Sequence, residues 1–327
     1  MFTFQRDGPL PTMWNNLTTR ASPLRPLELE ALTGRTVLVA GATSGCGLQL
    51  AKILARHCTR LIITARNPQR RYVAIGYGVL PVDPDFTEQL LHLPSLDIAV
   101  LNAGVWHVQF TRSADSFETH LQVNYLASCA LSLSLLTVLS RGRSPPHSRP
   151  GRLLNVTSEG HAFEDVPTGE TASGILERFN SPNALTCYQR YRLSKLLSMI
   201  WTHELASSID SAARRVEIAS FTPGATNTQI CRDLGTGNTV DIMMSLFCQS
   251  AEQGAWAYVR ALIAQEYHGQ YFFREHPHRP TYCVTAEEYK SFREDLVRQT
   301  VAVLGNQLST QSGIDDWLGF SPDDSFP

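Results

Sequence analysis

The chain alternates short apolar runs with segments of helical spacing, and this alternation constrains its fold more than any other feature. Five runs are rich in β-branched and apolar residues, as is typical of strands buried on both faces. They are TVLVAGA (36–42), RLIITAR (60–66), LDIAVLNAG (96–104), RLLNVTS (152–158) and VEIASFTPGA (216–225). Because strands that alternate with helices form parallel sheets covered on both faces, the chain predicts an α/β fold. We expect a Rossmann-type doubly wound sheet of about seven strands.

The chain divides into an arm and one domain. Residues 1–33 are rich in Pro, Thr and Leu without clear periodicity, so we expect a loose N-terminal arm that packs onto the body. Residues 34–327 are expected to form a single domain, whose C-terminal part supplies a substrate lid and a tail. A chain of 327 residues is long enough to bury the core of one large α/β domain.

Charge and composition exclude several classes of partner. The formal net charge is -2, which gives no basic field for nucleic acid or an anionic membrane. The N-terminus lacks the basic and apolar regions of a signal peptide, and no run approaches the roughly 18 apolar residues of a spanning helix. Seven cysteines without a C-x-x-C pair suggest reduced thiols in a cytoplasmic protein. The spacing of His268, His276 and His278 does not suit metal ligation, so a surface loop without metal is expected.

A glycine-rich turn, AGATSGCG, links the first strand to a helical segment. Glycine permits a tight turn and lets the backbone approach a pyrophosphate, while the start of the helix presents free N–H groups. The turn therefore predicts a dinucleotide site, although a tight turn that binds nothing has the same glycines. The residues expected to bind the nucleotide are Gly41, Thr43, Ser44, Gly45, Cys46 and Gly47.

The end of the second strand indicates which nicotinamide cofactor the chain prefers. NAD enzymes often place an acid there for the ribose hydroxyls, but this chain has Ala65 and Arg66. A guanidinium pairs well with a 2′-phosphate, so Arg66 favours NADP. A solvated cation at a strand end is the alternative.

Tyr191 and Lys195 stand four residues apart in CYQRYRLSKLL (187–197), a segment with helical spacing. On a helix these positions share one face, which places a phenol beside an ammonium. At about 4 Å and an effective dielectric near 20, the attraction is worth about 4 kcal/mol, or roughly 3 pK units. Such a shift would make the phenol useful for acid–base chemistry at neutral pH. Tyr188 and Arg192 have the same spacing, so the pair alone also fits an ordinary surface helix.

Further motifs follow one another in a fixed order. They are LNAG (101–104), VNYLA (123–127), NVTS (155–158), the Tyr-x-x-x-Lys pair and PGATNT (223–228). With the glycine turn, this set resembles the short-chain dehydrogenase/reductase family, and the later part of the chain resembles its retinol-dehydrogenase-like branch. Ala40 and Cys46 depart from the family's usual threonine and aliphatic residue. Similar N-terminal arms are frequent in fungal natural-product pathways, which suggests secondary metabolism.

The resemblance implies a role for each matching residue. Tyr191 would be the general acid or base, and Lys195 would also hold the nicotinamide ribose. Ser158 would polarise the substrate oxygen, and Asn124 would hold a water molecule that links Lys195 to solvent. Tyr188, one turn further from Lys195, is expected to lie outside the site. The other cofactor-binding residues implied are Asp83 beside the adenine, Asn102, Ala103, Gly104, Pro223, Gly224, Thr226 and Thr228.

The connections on one side of the sheet are short. The stretch from Arg66 to Asp83 contains the apolar run YGVLPV (77–82) and leaves little room for a full helix. We therefore expect shortened helices after the second and third strands, with exposed sheet that a partner subunit could cover. The apolar segment LASCALSLSLLTVL (126–139) is expected to be a helix buried in the fold or at a subunit contact. The chain thus predicts a homo-oligomer through its long helices.

Substrate identity is indicated only in outline. The pocket is expected to form from residues 159–187 and 225–252, and the second segment contains DIMMSLF (241–247). These features favour a moderately large apolar ketone or alcohol as the substrate of an NADP-dependent oxidoreductase. Two alternatives remain open: a non-redox isomerase, dehydratase or cyclase on the same scaffold, and a cofactor-binding protein without turnover.

Overall fold

A single sheet organises the part of the chain that the structure describes. This computed structural model describes residues 21–64, 92–141 except 94, 149–210 except 168, 213, 215–230 except 229, and 248–308. The strands are β1 Thr36–Ala40, β2 Arg60–Ile63, β3 Ile98–Leu101, β4 Gly151–Val156, β5 Val216–Thr222, β6 Tyr271–Phe273 and β7 His276–His278. Their order is β2-β1-β3-β4-β5-β6-β7, parallel as far as β6 and antiparallel between β6 and β7. The expected doubly wound, mostly parallel sheet is confirmed.

Helices cover both faces of this sheet. They are α1 Pro26–Leu29, α2 Gly45–Leu54, a π-helix Leu121–Leu126 that continues into α3 Ala127–Ser140, α4 Ala172–Phe179, α5 Cys187–Ser208, α6 Ala251–Ile263, α7 Tyr282–Thr285 and α8 Lys290–Leu308. Leu38 and Ala99 belong to the core beneath α3, α5 and α8, whereas Val37 and Val100 belong to the core beneath α2 and α6. Because successive residues of a strand face opposite sides, two cores require strands that are apolar on both faces, as the apolar runs in the sequence predict.

The most apolar helical segment, Leu121–Ser140, lies inside the protein. By length and composition it could cross a membrane, so the expectation that no run approaches that limit is wrong. However, 89% of its most apolar window is buried within the fold, as expected for the core helix of a globular domain. Its first turns, Leu121–Leu126, are π-helical, a widened form that is frequent at functional sites.

The histidine-rich segment forms strands rather than the expected surface loop. The strands β6 and β7 pair as a hairpin at the edge of the sheet, with Phe273 opposite His276. His268 precedes the hairpin, accepts the Ile218 N–H at its Nδ1 and contacts Ala206 O with its Nε2. This histidine therefore joins α5 to β5 instead of belonging to a ligand set. Among the residues described, no group of three or more His, Cys, Asp or Glu side chains could hold a metal ion.

Several expectations concern residues outside the described ranges. The run YGVLPV and most of the connection between β2 and β3 lie there, so the shortened helices stay a prediction. The DIMMSLF segment lies outside them as well. Near the N-terminus, Leu24, Leu29 and Leu32 are buried in the core beneath α2 and α6. This packing fits the expected arm, although the division at residue 33 also stays a prediction.

Asp97 fixes the start of β1 against the start of β3. Its Oδ2 accepts the Thr36 N–H at 2.7 Å, and its Oδ1 lies 3.2 Å from Arg35 Nη1. Its own carbonyl accepts the Arg152 N–H at 2.9 Å, which connects β4 to the same point. The buried residue Asp97 thus joins three neighbouring strands at the amino ends of the sheet, its carboxylate holding β1 and its backbone carbonyl holding β4.

We expect Asp97→Ala to destabilise the fold by about 2–3 kcal/mol, because it leaves the Thr36 N–H buried without an acceptor. The measurement is the shift in the midpoint of urea unfolding. Glu287→Ala is the matched control, since this carboxylate is 87% exposed and forms only a loose pair with Lys290. Equal midpoints for the two variants would contradict the role given to Asp97.

Candidate active site

The turn between β1 and α2 leaves no room for side chains at its glycines. Gly41 has φ +77°, and a Cβ there would lie 2.7 Å from Ala103 Cα. Gly45 has φ +55°, a region that favours glycine. A Cβ on Gly47 would collide with Gly41 O and Asn102 Nδ2. The turn therefore presents bare backbone at the start of α2, which is the geometry that an anionic pyrophosphate requires.

Asn102 ties this turn to the end of β3. Its Nδ2 donates to Gly41 O at 2.9 Å, and its Oδ1 accepts from the Tyr258 hydroxyl at 2.5 Å. Burial raises the pKa of Tyr258 well above its usual range, so the phenol remains a donor. Sequence reasoning missed Tyr258, because within EQGAWAYVRALI it is one more apolar residue of a helix.

The segment after β5 reaches the same turn. A Cβ on Gly254 would lie 2.8 Å from Cys46 Sγ, so α6 packs closely on the first turn of α2. Thr226 hydrogen-bonds Cys46, and burial raises the pKa of this thiol to about 12. The side chain of Thr228 lies at Gly45, where a Cβ would meet it at 3.2 Å. The AGATSGCG turn and the PGATNT turn, which lie far apart in the sequence, therefore lie together at the start of α2.

Asn124 holds the chain that leaves β3. Its Oδ1 accepts the Val105 N–H at 2.8 Å, and its Nδ2 donates to Val105 O at 3.0 Å. The same Nδ2 donates to Ser194 Oγ at 2.9 Å, which joins the π-helix to α5. The amide thus pairs with the backbone as a neighbouring strand would. It fixes residues 104–106 against the helix that carries Tyr191 and Lys195.

Lys195 is buried beside this pairing. Its Nζ donates to Val156 O at 2.9 Å, and a Cβ on Gly104 would lie 3.3 Å from Nζ and 3.4 Å from Asn124 Oδ1. Loss of water around the ammonium lowers the pKa of Lys195 from 10.5 to about 8. A lysine with this pKa is mostly charged at neutral pH and titrates just above it.

Ser158 and Tyr191 both adjoin Gly160. A Cβ on Gly160 would lie 3.3 Å from Ser158 Oγ and 3.7 Å from Tyr191 Cε1. Ser158 begins the 3-10 turn Glu159–Phe163, and its Oγ accepts the Gly160 N–H at 3.1 Å. Burial lowers the pKa of His161 to about 4, so its neutral ring donates from Nδ1 to Ser158 O. The serine is therefore held at the end of β4 beside the tyrosine.

The ring of Tyr191 is covered by Trp106, which sequence reasoning also missed. The two rings stack with centroids 4.4 Å apart and planes 8° apart. Tyr188 meets the same indole edge-on at 5.6 Å. Tyr188 therefore lies next to Trp106 and near Tyr191, because residues three apart on a helix share a face, while its expected place outside the site stays a prediction. The only available signal for Trp106 was its position two residues after the LNAG motif.

The structure brings the predicted residues together at the carboxyl ends of β1, β3, β4 and β5. Gathered there are Gly41, Thr43, Ser44, Gly45, Cys46, Gly47, Asn102, Ala103, Gly104, Asn124, Ser158, Tyr191, Lys195, Pro223, Gly224, Thr226 and Thr228. Arg66 and Asp83 lie outside the described residues. The roles assigned to all of these residues stay predictions.

Comparison with known proteins identifies the family. No family model matches the chain. It is 31% identical over 304 residues to the short chain dehydrogenase resG of Aspergillus sclerotiorum, with 83% of each chain covered. It is also 26% identical over 311 residues to the short chain dehydrogenase yanD of Aspergillus niger, covering 85% of this chain and 93% of that relative. The chain belongs to the short-chain dehydrogenase/reductase family. The retinol-dehydrogenase-like branch stays a prediction.

Solved structures of short-chain dehydrogenases share this fold at lower identity. The 3-alpha-hydroxysteroid dehydrogenase of Pseudomonas sp. B-0831, complexed with NADH, matches with a TM-score of 0.57 and 20% identity. That match covers 73% of this chain and 94% of the other. A short chain dehydrogenase of Burkholderia cenocepacia in complex with NADP gives 0.55 and 20%, covering 74% and 97%. These similarities support the Rossmann-type fold alone.

In this short-chain dehydrogenase the burial of Lys195 predicts a pH-dependent stability. Between about pH 8 and pH 10.5 the unfolded lysine keeps its proton while the folded one has lost it, so stability rises with pH. Across this window we expect wild type to gain roughly 3 kcal/mol relative to Lys195→Met, which has no charge to bury. Urea unfolding of both proteins at pH 7.5 and pH 10 measures this difference. The other groups that titrate in this range are the same in both proteins, so their contribution largely cancels. A constant difference would contradict the burial of a charged ammonium.

Proposed function

We propose that this chain is an NADP-dependent oxidoreductase acting on a carbonyl/alcohol pair of a moderately large apolar molecule. The observation that carries this proposal is the convergence of Ser158, Tyr191 and Lys195 beside a bare glycine turn. Ser158 and Tyr191 both adjoin Gly160, while Lys195 adjoins Gly104, one residue beyond the Ala103 that packs on Gly41 of the turn. A carbonyl reductase needs its acid–base side chains next to the site that binds the nicotinamide cofactor.

The residues of the turn fit a dinucleotide. Side chains are excluded at Gly41 and Gly47 by contacts with Ala103 and Asn102, so a diphosphate could approach the backbone closely. Asn102 would hold the turn in shape from behind, and Gly104 would leave room next to Lys195. When bound, the nicotinamide supplies or accepts the hydride, while a side chain of the protein donates or accepts the proton.

Proton transfer is assigned to Tyr191. In reduction the substrate oxygen gains negative charge, and the phenol donates its proton to that oxygen. The hydroxyl of Ser158 donates a second hydrogen bond to the same oxygen. Its own oxygen already accepts the Gly160 N–H, which orients the group. In oxidation the same atoms act in reverse, with Tyr191 as the base.

Lys195 supports this transfer through its charge. Below about pH 8 the buried amine of Lys195 is an ammonium, whose charge would favour the ionised form of the Tyr191 phenol. The bond from Nζ to Val156 O fixes the ammonium at the end of β4. We assign Asn124 the water-holding role through the lone pair of Oδ1 that Val105 does not use.

The preference for NADP rests on Arg66, which follows β2 by three residues. Its guanidinium would pair with a 2′-phosphate. The fungal relatives add support for a role in secondary metabolism, and the thiols buried at Cys46 and Cys283 suit a reducing cytoplasm. A homo-oligomer through the long helices also stays part of the proposal, to be tested by light scattering.

We expect Tyr191→Phe to lower kcat for ketone reduction by about 10²- to 10⁴-fold while NADPH binding is retained. The phenylalanine keeps the stack with Trp106 but has no proton to donate. Reduced nicotinamide absorbance, followed over a panel of apolar ketones, measures turnover, and fluorescence titration measures binding. A variant as active as wild type would remove Tyr191 from the mechanism. Product formed without loss of NADPH would indicate a non-redox reaction instead.

Cofactor choice is tested at Arg66. We expect Arg66→Asp to weaken NADPH binding by about 10- to 100-fold and to leave NADH binding nearly unchanged, because a carboxylate repels the 2′-phosphate and accepts from a ribose hydroxyl. Arg56→Asp is the control, since Arg56 is an exposed cation just beyond α2. If both variants keep the wild-type preference for NADPH over NADH, Arg66 does not bind the 2′-phosphate.

A further inference from the structure

An aromatic surface continues outward from Tyr191. Trp106 stacks on Tyr191 and meets Tyr188 edge-on. The Arg192 guanidinium lies 5.8 Å from the Tyr188 ring and 5.0 Å from the Phe163 ring. We call Trp106, Phe163, Tyr188 and Arg192 the aromatic collar. Phe163 ends the 3-10 turn that Ser158 begins, so the collar runs from the phenol back to the serine.

The outer members of the collar are unusually exposed for their size. Tyr188 is 46% exposed and Phe163 is 37% exposed, and both belong to a short set of large apolar side chains on the described surface. Scattered apolar residues on a surface need no explanation, but a group that adjoins a catalytic centre does. Here the exposed rings are continuous with the buried Tyr191.

A buried polar network fixes the inner member, Trp106, from behind. His120 Nε2 accepts the His107 N–H at 3.0 Å, and Glu118 Oε1 lies 2.6 Å from His120 Nδ1. Arg190 Nη2 donates to Val108 O at 3.2 Å. With Asn124 on the backbone of residue 105, the chain is anchored on both sides of the indole. Trp106 is therefore held in place before any ligand arrives.

Packing alone does not explain an indole at this position. The Nε1–H of Trp106 is buried, and no acceptor for it occurs in the part of the chain that the structure describes. A buried donor without a partner costs about 1–3 kcal/mol, which a phenylalanine in the same stack would avoid. The indole does offer a larger flat face, and flat rings gain most from aromatic walls.

We propose that the aromatic collar is the distal part of the substrate site and selects flat aromatic carbonyl compounds over aliphatic ones. This inference rests on the proposed function and narrows its substrate class. The reacting oxygen would lie between Ser158 and Tyr191, with the ring system of the substrate against Trp106 and Tyr188. Trp106 is the specificity-determining residue, because it contacts both the phenol ring of Tyr191 and the outer ring of Tyr188.

The test compares two ketones with the same number of carbons, 2-acetonaphthone and 2-dodecanone. The aliphatic ketone is the more hydrophobic, so simple burial of apolar area favours it. Binding is measured by calorimetry with and without NADP⁺, which cannot reduce a ketone. We expect wild type to bind the naphthyl ketone roughly tenfold tighter, and Trp106→Leu and Tyr188→Ala to reduce that ratio about three- to tenfold.

Tyr282→Ala is the matched control, because Tyr282 is 49% exposed and lies on α7, outside the collar. It should keep the wild-type ratio. Tyr188 is exposed enough that its variant will fold even if Trp106→Leu does not. Equal binding of the two ketones by wild type, or a ratio unchanged in the folded collar variants, would overturn the proposal. Failure to bind NADP⁺ would count against the proposed function and leave the collar comparison intact.

Discussion

The site depends on the pairing of one side-chain amide with one backbone unit. Asn124 satisfies both the N–H and the C=O of Val105, and so holds the chain leaving β3 as a neighbouring strand would. Residues near that unit contact the glycine turn, Lys195 and Tyr191. Asn102 reaches the glycine turn, Gly104 adjoins Lys195, and Trp106 stacks on Tyr191. A displacement of this short segment would move the nucleotide side and the catalytic side together.

The same pairing explains why a π-helix precedes α3. An ordinary α-helix satisfies its own backbone, and the side chains on its faces recur at a fixed rise and rotation. The widened turns at Leu121–Leu126 change that rotation just where Asn124 must meet Val105 and Ser194. The departure from regular α-helical geometry costs free energy locally. Burial of the helix among apolar residues of the core offsets this cost. Local irregularity and function thus share one location.

Prediction from the sequence succeeded where a rule of local geometry links residue type to structure. Continuous apolar runs revealed the buried strands, and the glycines of the turn revealed positions where a Cβ would collide. It failed where the link depends on distant packing. Tyr258 carries no local signal and Trp106 only its position after the LNAG motif, because their importance comes from Asn102 and Tyr191, which lie far away in the sequence. The hairpin at His276–His278 was mistaken for a loop, since three residues are too few to show a period of two.

The two sides of the site differ in what forms their walls. This difference decides which side tolerates substitution. The nucleotide side is shaped by backbone and glycine, so almost any substitution there adds atoms where Gly41 or Gly47 leaves no space. The collar is shaped by large side chains, and the backbone next to its inner member, Trp106, is anchored independently through Glu118, His120 and Arg190. Replacing a collar side chain alters the shape of the substrate wall without releasing that backbone. Under the proposed assignment of the collar to the substrate site, substitutions at Trp106 or Tyr188 would therefore change the substrate range while the glycine turn keeps its shape.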